Sequence, residues 1–141
     1  MKIGLDIHGV ITKNPTLFAK LTSYLILHNH EVHILTGVED SDRVRLELSK
    51  YGIAYTDFFS ITTYHKSIGT RMKFKDGNPS QPIIDDELWN ITKAHHCCAI
   101  GIDLHIDDSS IYGKYFHAID TQYIQYNEVI DKFLILLMEK L

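Results

Sequence analysis

The sequence predicts an α/β domain on a mostly parallel central sheet. Three observations lead there. Short apolar runs of strand length recur at Lys2 to Ile7, Val32 to Leu35 and Ile102 to Ile106. Longer stretches with helical spacing and recognisable end signals lie between and after them. The resulting alternation of strand and helix is the pattern of parallel strands joined by helical crossovers. With 141 residues the chain fits one domain, 1–141, able to bury a core without disulfide or metal staples.

The elements follow in order. Lys2 to Ile7 reads as the first strand. Asn14-Pro15 opens a helix, with Asn as N-cap and Pro at the first helical position. Leu17, Phe18, Leu21, Tyr24, Leu25 and His28 continue it, and Asn29-His30 ends it. Val32 to Leu35 is the second strand, stopped at Thr36-Gly37. Asp40 or Ser41 caps the next helix, which Gly52 closes in the left-handed position. Phe58 to Thr62 is predicted as a third strand. Asp76-Gly77-Asn78-Pro79 is a turn signal that makes 70–84 a hairpin or flap. Asp85 or Asp86 caps a helix through about Cys98, stopped by Gly101. Ile102 to Ile106 then delivers Asp107-Asp108-Ser109 at its end. Ala118-Ile119 is predicted as a short strand, and Asn127 caps a closing apolar helix.

Composition narrows the function classes. The formal net charge of −4 argues against a general nucleic-acid binder but not against an enzyme that grips one phosphate. No apolar run approaches the roughly 18 residues of a membrane span. Asp6 comes too early for the apolar core of a signal peptide. Cys97 and Cys98 are adjacent and read as reduced thiols, so a cytoplasmic protein is expected.

Function in such sheets gathers at the C-terminal ends of strands. Those ends carry Asp6 and His8, then Thr36-Gly37, then Asp107-Asp108. Each alone suits a turn or a cap. Together they are more specific, because adjacent carboxylates at one edge are costly without a cation. Asp6 beside Asp107 and Asp108 makes an oxygen cage suited to Mg2+. Thr36 and the backbone at Gly37 suit phosphate oxygens, and a lysine would balance the remaining charge. Such a set suits phosphoryl transfer.

Asp6-Ile7-His8-Gly9-Val10-Ile11-Thr12 resembles the first motif of the haloacid dehalogenase superfamily. Val32-His33-Ile34-Leu35-Thr36-Gly37 resembles its second motif and Ile106-Asp107-Asp108-Ser109 its acidic fourth. The resemblance implies a three-layer fold and a Mg2+-dependent phosphohydrolase. Asp6 would be the nucleophile, forming an aspartyl-phosphate. Asp6, Asp107 or Asp108, and the backbone carbonyl of His8 would hold the metal. Thr36 would bond the phosphoryl group. The motif-three lysine is Lys93 or Lys66, with Lys93 preferred because it lies on the helix before the acidic strand.

His8 departs from the family, whose hydrolases carry a second Asp there. Imidazole can take over the proton transfers. It can instead mark changed chemistry, or a domain that binds metal and a phosphorylated ligand or protein partner without turnover. The short interval from Asp6 to Thr36 and the contents of 37–107 leave no room for a separate cap domain. The capless form implies an open site for large substrates, or one closed by a second subunit of a homo-oligomer. Nucleic acid is not favoured by charge, although a polynucleotide end stays compatible with an open site. A receiver domain would place its acidic pair early, and no Gly-rich phosphate loop follows strand one. His95-His96-Cys97-Cys98 cannot converge on one ion from a single helix. His105 is expected to pack or hydrogen-bond within its strand. The aromatic run Tyr112, Tyr115, Phe116, Tyr123 and Tyr126 is expected to pack on the last helix.

Overall fold

The protein is described here by a computed structural model covering residues 1–78 and 81–140. Five strands form a wholly parallel sheet: β1 (Lys2–Leu5), β2 (Glu31–Thr36), β3 (Asp57–Ser60), β6 (Leu104–Asp107) and β7 (Gln122–Gln125). Their order is β3-β2-β1-β6-β7. The chain therefore builds outward from β1 in one direction, then returns to β1's other side and builds outward again. The reversal lies between β1 and β6, and ligands of open α/β sheets bind at such a point.

Strand parity separates the two faces. Ile3, Leu5, Val32, Ile34, Leu104 and Ile106 point to one face. They meet α1 (Pro15–Leu27), α2 (Asp42–Tyr51) and α5 (Glu128–Lys140) through Phe18, Leu21, Leu48 and Leu134. Leu35 and His105 point to the other face. There they meet α4 (Asp86–Ile100), through Ala94 and Cys97, and the 3-10 segment Tyr112–Phe116. The short α3 (Ile61–Ser67) packs against α4 on that side. The result is three layers.

The local signals act as the sequence predicts. Asn14 accepts from the Leu17 amide at 3.2 Å, Ser41 from Val44 at 3.4 Å and Asp85 from Leu88 at 3.1 Å. Asn127 accepts from Val129 at 2.9 Å. Gly52 and Gly101 close α2 and α4 at φ 74° and 75°, where a side chain would be strained. The predicted hairpin is present as β4 (Lys73–Phe74) paired antiparallel with β5 (Pro82–Ile83). Of its turn signal, Pro79 lies outside the described residues.

Three expectations need correction. The third strand stops at Ser60, because its side chain accepts from the Thr63 amide at 3.1 Å and starts α3. Ala118-Ile119 is not a strand; the edge strand is Gln122–Gln125, whose two exposed glutamines hide it from a hydrophobicity pattern. The aromatic run does not all pack on α5. Only Tyr126 does so, bonding Asp131 at 2.6 Å, while Phe116 and Tyr123 flank His105. No helix among the described residues is long and apolar enough to cross a membrane.

Candidate functional site

Parity along β6 begins the site. His105 and Asp107 are two residues apart, so both point toward α4. Lys93 projects from α4 to meet them and is buried. Its Nζ donates to Asp107 Oδ2 at 2.6 Å and lies 3.3 Å from Asp6 Oδ1. Asp6 follows β1 directly, with its amide donating to Ile106 O at 3.1 Å, which ties it to the end of β6. His105 Nε2 also donates to Asp107 Oδ2, at 2.9 Å, and the Ser109 amide donates to Oδ1 at 3.2 Å. Asp107 thus has donors on both oxygens. His105 is fully buried, and its Nδ1 has no hydrogen-bond partner among the described residues. The ring fits because residue 4 is glycine: a Cβ there would stand 2.9 Å from His105 Nδ1 and 2.7 Å from Leu35 Cδ1.

Asp108 comes from the loop after β6 and lies over Gly9, whose φ is +90°. A Cβ at Gly9 would collide with the Asp108 carboxylate. Carboxylate oxygens of Asp6, Asp107 and Asp108 all lie within 4.8 Å of one another. Among the described residues, no other three His, Cys, Asp or Glu side chains converge this way. His95, His96, Cys97 and Cys98 do not. His96 stacks on Phe59 at 3.8 Å, and burial pushes the Cys97 thiol up to about 12.

Thr36 ends β2 on the same edge and is buried. Its Oγ1 accepts from the Val38 amide at 3.2 Å, which leaves the hydroxyl proton to donate elsewhere. Thr62 donates to the Gly37 carbonyl at 2.6 Å and fixes this turn. Gly37 permits close approach of Trp89, whose Cζ2 would stand 2.7 Å from a Cβ. The indole donates to Tyr112 Oη at 3.0 Å, and Lys93 Nζ lies 5.3 Å from the Tyr112 ring centroid. Asp6, His8, Thr36, Gly37, Lys93, Asp107 and Asp108 all border one open cavity of about 400 Å3. Gln81 and Pro82 of the hairpin border it as well.

The electrostatics divide the carboxylates. Burial, only partly offset by Lys93, raises Asp6 to about 6, and the Asp107 charge adds to the rise. Burial works against Asp107 also, but the His105 and Lys93 donors hold it well below the usual carboxylate range. Burial and then the Asp107 charge push Asp108 up. Burial opposes the Lys93 charge, but Asp6 and Asp107 outweigh it and hold the ammonium above the ordinary lysine range. One lysine serves three carboxylates. The donor set is hard oxygen, and the charge left over is negative, which fits a divalent cation of the Mg2+ kind.

The fold separates the two lysine candidates. Lys93 lies between Asp6 and Asp107, whereas Lys66 pairs with Glu39 at 2.8 Å, outside the cavity lining. His8 reaches the rim, but its Nε2 faces Glu47 Oε1 at 2.9 Å and not the carboxylates. Sequence reasoning missed Glu47, Thr62, Trp89, the cavity role of Tyr112, and the bond from His105 to Asp107. The alternation His105, Ile106, Asp107 was the available signal for the last. Compared with protein-family models, with curated proteins and with solved structures, the chain matches none.

Proposed function

We propose that the protein is a Mg2+-dependent phosphohydrolase that cleaves phosphomonoesters through an aspartyl-phosphate on Asp6, as the resemblance to haloacid dehalogenases implies. The observation that carries this reading is Lys93 Nζ seated 2.6 Å from Asp107 and 3.3 Å from Asp6 at the end of β1 and β6. An isolated helix lysine would avoid such burial; between two carboxylates it makes a preorganised positive site for phosphoryl oxygens. Asp6, Asp107, Asp108 and the His8 carbonyl would hold Mg2+, which supplies charge neutralisation for the transferring phosphoryl group.

Asp6 attacks phosphorus in line, and the bond from phosphorus to the ester oxygen breaks. The departing oxygen takes a proton from the His8 imidazolium. Water then attacks phosphorus of the aspartyl-phosphate, gives its proton to His8, and frees phosphate and Asp6. Lys93 and the Thr36 hydroxyl hold the phosphoryl oxygens throughout. Glu47 accepts from His8 Nε2 at 2.9 Å and orients the ring.

The direction of His8 toward Glu47 also favours a second reading, a domain that binds metal and a phosphorylated ligand without turnover. Phosphate release from a panel of phosphomonoesters, with and without Mg2+, separates the two. The phosphohydrolase reading expects release that needs Mg2+, vanishes in Asp6→Asn and drops in His8→Ala. No release by folded, Mg2+-binding protein would leave the binding reading in its place.

A further inference from the structure

We infer that the site takes the phosphorylated end of a single-stranded polynucleotide, gripped by the basic hairpin at its mouth; this rests on the phosphohydrolase reading. The chain carries a net charge of −4, yet Lys66, Arg71, Lys73 and Lys75 follow one another without an intervening acid. The hairpin brings this segment to the cavity: Phe74 pairs with Pro82, and Pro82 and Gln81 line the wall.

Lys66 pairs with Glu39 and lies 5.5 Å from the centroid of the Phe74 ring. Arg71, Lys73 and Lys75 are exposed and form no ion pair with any described residue. Asp40 holds Arg45 and Glu47 faces His8, while Asp85 caps α4 and Glu87 accepts from Tyr115 without losing their charge. Asp76, Asp85, Asp86 and Glu87 are exposed acids that keep their charge on this segment and its continuation.

A small phosphomonoester would occupy Lys93 and Thr36 and leave these outer cations unused. A strand whose last phosphate sits at Asp6 carries its next phosphates outward to them. Trp89 and Tyr112 line the cavity, and exposed Phe74, between Lys73 and Lys75, lies on the strand paired with Pro82. Cations interleaved with aromatics suit a chain of alternating phosphates and bases. The cavity of about 400 Å3 has room for one nucleotide. A phosphopeptide brings one phosphate and no repeating charge, so it fits this arrangement less well.

The test compares kcat/KM for a short oligothymidylate bearing a terminal phosphate, at either end, with that for p-nitrophenyl phosphate. The ratio is expected to exceed about tenfold at low salt and to fall as salt rises. In Arg71→Glu/Lys73→Glu/Lys75→Glu the ratio should fall at least tenfold. A ratio near one in the wild type, a ratio unmoved in the variant, or a preference for a phosphopeptide overturns the inference. If no substrate is turned over, the phosphohydrolase reading fails, and anisotropy of the labelled phosphorylated strand decides the inference alone. Salt-sensitive binding lost in the triple variant supports it, and equal or absent binding overturns it.

Discussion

On the sheet face covered by α1, α2 and α5, the strands present Ile3, Leu5, Val32, Ile34 and Ile106, all apolar and buried. On the face covered by α4, they present Gly4, His33, Leu35, His105 and Asp107. The first face contributes stability by removing apolar surface from water. The second encloses a lysine, two carboxylates and an imidazole joined by ion pairs and hydrogen bonds. The two faces teach that one sheet can divide its work, with one side holding the other's charges in register.

Substitutions test that division. The largest effect is expected for Asp6→Asn, which should lower turnover by at least about 10³-fold. Its melting temperature should stay at or above the wild-type value, since a buried charge is removed. Retained phosphate release would end the nucleophile assignment. Next come two losses of like size and unlike cause. Lys93→Ala leaves Asp6 and Asp107 facing each other and should cost about 3–5 kcal/mol. Phe18→Ala opens a cavity on the apolar face and should cost about 3–5 kcal/mol. Urea unfolding distinguishes them: Mg2+ should restore part of the Lys93 loss and none beyond the wild-type effect for Phe18. Equal responses to Mg2+ would erase the distinction between the faces.

Gly4→Ala should cost about 1–3 kcal/mol by pushing a Cβ into Leu35 and His105. The smallest effect is in pH dependence. Asp6 is held at about 6 in the fold against an ordinary 3.8, so the fold binds its proton more tightly than the open chain does. The stability this contributes is present below pH 3.8 and is lost as pH rises through about 6. Burial lowers His65, His96 and His105, which act in the opposite sense as they charge in the open chain. Asp107, held low, also acts oppositely but below this window. The Asp6 contribution is therefore read as the difference between wild type and Asp6→Asn in metal-free unfolding. That difference should decline between pH 4 and 6.5 and flatten in Mg2+. A difference constant with pH would show that Asp6 is not held protonated.

Much of the fold was legible because its signals are local. Asn14-Pro15, Ser41, Gly52, Asp85, Gly101 and Asn127 each act within a few residues of themselves. The missed elements carry weak or overridden signals. α3 is seven residues with β-branched Ile61, Thr62 and Thr63, weak helix formers held in place by the Ser60 cap and by α4. β7 shows two half-buried residues between glutamines, and only its pairing with β6 makes it a strand.

The same boundary runs through the site. Apolar periodicity and strand ends by themselves determined that Asp6, Thr36, Asp107 and Asp108 would share one edge, because side-chain direction follows backbone period. Tertiary structure alone decided that Lys93, not Lys66, stands between the carboxylates, that His105 braces Asp107, and that His8 turns to Glu47. Those outcomes depend on distances across layers and on which charges share a dry interior, and neither is written in the spacing of residues along a chain.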